Sequence, residues 1–134
     1  MEERRPADNC GLPAIVKFGD EPVAAVEDRP APERLLNGNP RRLTWNWFEA
    51  GERGLSAGRW QCEVGAWRIR FGPAKDEFFH VIEGRVRLHG PGGRVVDVGP
   101  GEAAVIPAGF EGVFEVVEPV TKHYVLVERR SAPA

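Results

Sequence analysis

An all-β domain, built as an antiparallel sandwich or barrel, is the fold class that the sequence predicts for residues 41–130. From Arg41 onward, runs of roughly five to eight residues rich in Val, Phe, Trp and Ile alternate with breaks at Gly and Pro. β-Branched and aromatic side chains favour a half-buried pleated surface. The same region contains no amphipathic helical period of useful length. These observations together are typical of closely spaced antiparallel strands.

The predicted strands follow one another in a regular order along this region. A glycine-rich loop, GPGG, separates two of them and predicts a hairpin, because glycine takes positive φ at no steric cost. The runs are LTWNWF, RWQCEV, AWRIRF, EFFHVIEG, RVRLHG, RVVDVG, AAVIPAGF, GVFEVVEP and TKHYVLVE.

Residues 1–40 differ from the rest, with several prolines and no sustained period. We interpret them as an irregular arm that lies over the domain or over a partner subunit. Within PAPERLLNG, Pro32 suits the first position of a short helical turn and Gly38 suits a stop. Residues 131–134 are predicted to form a C-terminal tail.

Composition excludes several classes of function. A net charge of −2 gives no basic surplus for nucleic acid. No apolar run is long enough to span a bilayer. The start, MEERRPADN, lacks the apolar core of a secretory signal. Cys10 and Cys62 are far apart and form no CxxC pair, which favours reduced thiols and a cytoplasmic location.

The segment GAWRIRFGPAKDEFFHVIEG carries the first recognisable motif. It resembles the first motif of the cupin superfamily, G-x5-H-x-H-x3-E-x6-G. Gly65 and Gly84 match its two glycines, and Glu77 matches its glutamate. Phe71 and Pro73 stand where the two histidines are expected. The resemblance therefore implies the shape of a metal site without most of its ligands.

A second segment shows the same pattern of loss. It resembles the second cupin motif, G-x5-P-x-G-x2-H-x3-N, with Gly101, Pro107 and Gly109 in place. Gly112 stands at the histidine and Val116 at the asparagine. Of the usual metal ligands that the resemblance implies, only Glu77 remains.

Within the superfamily, residues 38–129 resemble the (S)-ureidoglycine aminohydrolase-type cupin domain family. The resemblance rests on GNPRRLTWNWFE, DEFFHVIEGRVRL, VGPGEAAVIPAGFEGVFEV and EPVTKHYVLVE. It implies a double-stranded β-helix, the RmlC-like jelly-roll barrel, which is usually cytoplasmic and often a homodimer. The enzyme that names the family has two barrels and a metal, so its activity is not carried over to this chain.

Glu77 is the first candidate site residue. Because side chains alternate along a strand, Glu77, Phe79 and Val81 share one face, which we expect to line the lumen with Trp67 and Phe71. A carboxylate among apolar side chains can act as a general acid or base, or hold a cationic ligand. The alternative is a structural glutamate paired with an arginine or with backbone. His80, three residues on, falls on the opposite face.

Lys122 and Tyr124 match a recurrent Lys-x-Tyr of the family and share one strand face. They are candidates for a site that takes an anionic ligand. The alternative is a tyrosine hydroxyl bonded at the barrel rim and a lysine that reaches solvent. Valines beside His123 on the other face of this strand predict that the other face is the buried one.

The remaining conspicuous side chains have structural interpretations. Trp45 and Trp47 share a face and are predicted to pack in a core or an interface. Cys62 is predicted to be a buried small hydrophobe, since no histidine is placed to activate it. Arginines on outward positions are interspersed with acids, a pattern typical of a solvated surface rather than of phosphate binding; they are Arg68, Arg70, Arg85 and Arg87.

Two functional classes follow for the whole chain. The first is a small-molecule-binding cupin with no cofactor and no metal at the usual site, since one carboxylate is too few ligands. The second is a small enzyme, metal-independent or with unusual metal ligands, that uses Glu77 with Lys122, Tyr124 or an arginine on a nitrogenous or sugar-like substrate. A dimeric structural domain without a ligand is the third possibility.

Overall fold

The computed structural model describes residues 11–129 and confirms the all-β class. Short 3₁₀ turns at Pro32–Arg34, Gly51–Arg53 and Pro91–Gly93 are its helical elements in that range. The predicted GPGG hairpin forms the last of them. The strands are β1 Val26–Asp28, β2 Leu35–Asn37, β3 Arg42–Ala50, β4 Leu55–Cys62, β5 Gly65–Arg70, β6 Lys75–His89, β7 Val95–Val98, β8 Ala103–Ile106 and β9 Glu111–Glu128.

Two long antiparallel strands, β6 and β9, organise the sheet. β6 pairs with one edge of β9 from one end to the other. The other edge of β9 pairs first with β5 and then with β4. β3 and β1 extend the sheet beyond β4, β2 extends it beyond β5, and β7 and β8 line the far edge of β6. The sheet therefore curls around a lumen, and each long strand contributes to both ends of the barrel.

The long strands correct the predicted segmentation at two positions. Gly84 and Pro119 were expected to separate strands, but β6 and β9 continue through them. Gly84 has a φ of 86°, and a Cβ there would lie 2.1 Å from the carbonyl oxygen of Pro119. The pairing register also shifts on both sides of Gly84. The two residues mark a shared bend, because glycine permits the close backbone approach and the positive φ.

The arm is more ordered than its composition predicts. β1 pairs with β3 and β2 pairs with β5, so the arm supplies edge strands to the barrel. The predicted turn at Pro32 is present, but Gly38 does not end it, since β2 lies between them. Phe18 stacks on Trp47 with ring centroids 5.3 Å apart. Residues 1–10 of the predicted arm, with Cys10, and the predicted tail at 131–134 lie outside the described residues.

The core fills one end of the lumen. Its fully buried side chains include Phe79, Val81, Val86 and Val116. Glu77 and Lys75, nearer the start of β6, instead line a cavity. The open end of the lumen is therefore the end where β6 begins and β9 finishes. Within residues 11–129, no helix has the length and apolar character needed to cross a membrane.

Candidate functional site

A cavity of about 530 Å³ occupies the open end of the barrel. This volume lies in the range of sites that hold small organic molecules. One wall is apolar, and the opposite wall, from β3 and β4, presents hydroxyl and amide groups. The lining residues are Val26, Arg42, Thr44, Asn46, Ser56, Trp60, Trp67, Ile69, Phe71, Lys75, Glu77, Ile106, Phe114, Lys122, Tyr124 and Leu126.

An ion pair between Glu77 and Lys122 lies in the wall of this cavity. The Lys122 ammonium donates a hydrogen bond to Glu77 Oε2 across 2.7 Å. Strand pairing places Val81 opposite Lys122, and the long lysine side chain extends along the inner face of β6 over Phe79 to reach Glu77. Lys122 is only 3% exposed. Burying both charges is tolerated because each offsets the desolvation of the other.

Aromatic rings complete the surroundings of the Lys122 ammonium. Nζ lies 4.3 Å from the ring centroid of Phe79, 4.5 Å from that of Trp60 and 5.0 Å from that of Phe114. The faces of these rings carry partial negative charge and attract a cation. The lysine is thus fixed by three rings and a carboxylate, and it does not reach out to solvent.

Tyr124 lies two residues after Lys122 on β9 and also faces the lumen. Its hydroxyl donates to Asn46 Oδ1 across 2.7 Å, and Asn46 Nδ2 donates to Glu49 Oε1 across 2.8 Å. Burial, with the nearby charges of Glu77 and Glu49, raises the pKa of Tyr124 to about 12. Tyr124 is therefore a neutral hydrogen-bond donor at physiological pH.

Two further cations line the cavity, each lying over an aromatic ring. Arg42 makes two hydrogen bonds of 2.8 Å to the Asp28 carboxylate, and its guanidinium lies 5.3 Å from the ring centroid of Trp67. The Lys75 ammonium lies 4.6 Å from the ring centroid of Phe71. The sequence reasoning did not single out Arg42, Lys75 or Asn46.

The structure reverses the predicted faces of the last strand. Lys122 and Tyr124 face the lumen and are buried, whereas Val125 is 36% exposed on the outer side. The interpretation of a lysine that reaches solvent was wrong for this reason, whereas the hydrogen-bonded tyrosine hydroxyl of the same interpretation is present. The prediction relied on the valines that share a strand face with His123, but those valines form part of an apolar outer surface and do not line the core.

Other predicted positions divide between the cavity and its surroundings. Trp67 and Phe71 line the cavity as expected. Phe79, predicted to contact a ligand, is 0% exposed and packs behind Lys122 instead. Pro73 is exposed and does not line the cavity. His80 lies on the outer face, directly opposite His123, so the predicted separation from Glu77 is confirmed.

Cys62 is buried, as predicted, and lies outside the cavity lining. Burial raises the pKa of its thiol to about 12. A thiol with so high a pKa is almost entirely protonated near neutral pH and is a poor nucleophile. Arg68 and Arg70 are exposed, in agreement with their predicted outward positions.

The side chains at the usual cupin metal positions do not fit a metal ion. Phe71 and Pro73 offer no ligand atom, and Glu77 is already bonded to Lys122. A Cβ at Gly112 would lie 2.1 Å from the carbonyl oxygen of His89, so the backbone leaves no room for a side chain. Among residues 11–129, no cluster of three or more His, Cys, Asp or Glu could hold a metal.

A curled jelly-roll sheet around a cavity at one end defines a cupin barrel. Residues 49–124 match the family model described as the EutQ-like cupin domain. The match covers more than half of the chain, which therefore belongs to the EutQ-like cupin domain family. No curated protein is significantly similar to the chain in sequence.

Solved structures share the fold at low sequence identity. A Pseudomonas syringae protein of unknown function from the DUF861 family superimposes with a TM-score of 0.70 at 23% identity, covering 78% of this chain and 45% of that one. The Clostridium difficile EutQ protein gives 0.57 at 24% identity, covering 67% and 64%. Ectoine synthase from P. lautus gives 0.57 at 13% identity, covering 67% and 66%. The chain thus spans less than two thirds of the first two proteins, and the likeness shows the fold alone.

Proposed function

We propose that this chain is a cupin that binds a small molecule in the barrel lumen without the usual cupin metal. The observation that carries the proposal is the cavity of about 530 Å³, in which fixed polar groups stand against an apolar wall. Hydrogen bonds within the protein hold four of these polar side chains before any ligand arrives: Glu77, Lys122, Tyr124 and Asn46. Such preorganisation lowers the entropic cost of binding.

A cavity-filling variant tests this proposal. Ser56→Trp places a large ring in the lumen, whereas Arg53→Trp places the same ring on an exposed turn. In a thermal-shift screen of ureides, sugars, amines and carboxylates, we expect ligands that raise the Tm of the wild type and of Arg53→Trp but not of Ser56→Trp. A screen without any such ligand, or binding that survives Ser56→Trp, contradicts the proposal.

Acid–base catalysis in the same cavity is the second candidate. It is favoured because a carboxylate, an ammonium and a phenol line one cavity. The sequence alone did not assign a second titratable group to the face of Glu77. Glu77 would accept a proton from the substrate while Lys122 holds the carboxylate in place. The oxygen of Tyr124, whose own proton goes to Asn46, would accept a hydrogen bond from the substrate. A nitrogenous or sugar-like compound is the proposed substrate class.

A ligand found in the screen separates the two candidates. The ligand is incubated with the protein and followed by NMR. If it is a substrate, we expect the wild type to convert it, and we expect Glu77→Gln to bind it without conversion. A ligand that stays unchanged over many hours favours binding alone. The finer resemblance to the (S)-ureidoglycine aminohydrolase type remains a prediction, and no aminohydrolase activity is proposed from it.

A homodimer through the outer face of the sheet is also proposed, together with a cytoplasmic location. A row of apolar side chains crosses the outer face of five adjacent strands. Phe78, the second of its five members, is 46% exposed and lies between Val105 at 59% and Val125 at 36%. An apolar row of this kind favours a covering partner. Its members, in order, are Val105, Phe78, Val125, Ala57 and Phe48.

A further inference from the structure

The charges that line the lumen do not balance. Arg42, Lys75 and Lys122 are cationic, whereas Glu77 is the acidic residue of the lining. Glu77 is paired with Lys122, and Arg42 is paired with Asp28. Within residues 11–129, Lys75 has no carboxylate within ion-pair distance. Among the described residues, the positive charge of Lys75 on the cavity wall is therefore not balanced by an ion pair.

The position of Lys75 directs this charge toward the lumen. Lys75 and Glu77 are two residues apart on β6 and share its inner face. The neighbouring Asp76 is turned away, and its carboxylate accepts a hydrogen bond from the backbone N–H of Ala108 across 2.8 Å. The Lys75 ammonium lies over the ring of Phe71, so this half-buried residue holds its charge beside the apolar wall.

A cation at a half-buried apolar wall attracts an anion more strongly than one in open water, because the effective dielectric constant is lower there. The surplus of a single charge matches a monoanion better than a dianionic phosphate. Arg42, which has the fork geometry suited to phosphate, is already engaged by Asp28 through two hydrogen bonds. Strands that neighbour Lys75 in the barrel add apolar side chains to the lining: Ile69, Ile106 and Leu126.

We infer that the lumen takes a small monocarboxylate with an apolar body, its carboxylate against Lys75 and its body along Ile69 and Ile106. This inference rests on the proposed function, since it requires that the lumen binds a ligand at all. The hydroxyl groups of Thr44 and Ser56, on the opposite wall, can bond polar substituents of the body.

The test uses sets of probes that share one apolar body and differ in the head group and its charge. Each of three bodies, butyl, cyclohexyl and benzyl, is offered as the carboxylic acid, the primary amide and the amine, and binding is measured by calorimetry. We expect at least one acid to bind about tenfold or more tightly than its amide, with the amine weakest. Lys75→Gln is expected to abolish this preference. Lys17→Gln removes an exposed lysine of the arm and serves as the matched control.

The outcomes separate the two ideas. An amide or amine that binds as tightly as its acid, with binding lost in Ser56→Trp, overturns the inference about charge and leaves lumen binding intact. An acid preference that survives Lys75→Gln also overturns it. If none of the probes binds the wild type, both the inference and the lumen as a site for ligands of this size are contradicted.

Discussion

Lys122 and Glu77 are 45 residues apart in sequence, yet their side chains meet at 2.7 Å inside the barrel. Removing one partner leaves the other buried and unpaired, so we expect Lys122→Met to lower the free energy of unfolding by about 3–5 kcal/mol. The double variant Glu77→Gln with Lys122→Met removes both charges and should recover much of that loss. Denaturant titration measures each value.

An exposed ion pair provides the control for this prediction. Arg70 and Glu111 lie on the surface, with side chains 72% and 66% exposed, and solvent screens their attraction. Arg70→Gln is therefore expected to cost less than about 1 kcal/mol. Equal losses for Lys122→Met and Arg70→Gln would show that the lumen pair is not desolvated.

His123 should make the fold sensitive to mild acid. Burial, with the charges of Arg59 and His80, lowers its pKa below the ordinary 6.5. Arg59 Nε lies 3.4 Å from His123 Nε2. Below about pH 6.5 the unfolded chain binds the proton more readily than the folded one, so this contribution to stability is lost as the pH falls through the folded pKa.

The slope of Tm against pH between about 7 and 5 checks this effect. We expect His123→Gln to flatten the slope relative to the wild type. His89→Gln is the control, because the His89 ring contacts the Glu115 carboxylate rather than a cation, and it should not flatten the slope. Identical slopes for the wild type and His123→Gln would argue against a folded state that disfavours the protonated ring.

Phe78 should control assembly if the outer apolar row forms the dimer interface. A charge introduced into a buried apolar interface loses its hydration without gaining a partner, so Phe78→Glu is expected to give a monomer. Val95 is similarly exposed but lies on β7, outside the row, and Val95→Glu should remain dimeric. Light scattering after size-exclusion chromatography gives the masses, and a monomeric wild type would rule out the proposed dimer.

Gly112 should tolerate no side chain. Because a Cβ there would lie 2.1 Å from the His89 carbonyl oxygen, Gly112→Ala is expected to lower stability by about 1–3 kcal/mol through overpacking. At Gly72 a Cβ would meet no atom within 4 Å, and Gly72→Ala should change stability by less than about 0.5 kcal/mol. Comparable unfolding curves for the two variants would contradict the contact.

Metal content is predicted to be substoichiometric in the purified protein, because the usual ligand positions supply a single carboxylate already bonded to Lys122. Elemental analysis before and after dialysis against a chelator measures it. Stoichiometric Mn, Fe, Ni or Zn that is lost in Glu77→Ala would overturn the metal-free interpretation.

The period of the strands allowed part of the site to be predicted from sequence. Glu77 was placed on the inner face with Phe79 and Val81, and His80 on the outer face, because alternation holds along the regular start of β6. Alternation within one strand does not say which face is buried. The faces of Lys122 and Tyr124 were therefore assigned from valine content alone, and the apolar outer row made that assignment wrong.

Contacts between distant strands were beyond the reach of such reasoning. Asn46 fixes the hydroxyl of Tyr124 across 78 residues of sequence, and a register shift after Asn46 obscures the alternation of β3. Lys75 and Arg42 become site residues only when β5 and the residue that follows it bring Trp67 and Phe71 beneath them. Gly84 and Pro119 looked like strand ends because each breaks ideal pairing, and only their contact with each other reveals a bend.

The backbone around Gly112 limits which substitutions this barrel can accept. Exchanging Phe71 or Pro73 for histidine alters a side chain, whereas a histidine at position 112 first requires β9 to move away from the carbonyl oxygen of His89. A single substitution at 112 therefore costs stability before it contributes a ligand. A metal site is therefore hard to build by small steps on this backbone, whereas substitutions at Lys75 and Ile69 change side chains of the cavity lining.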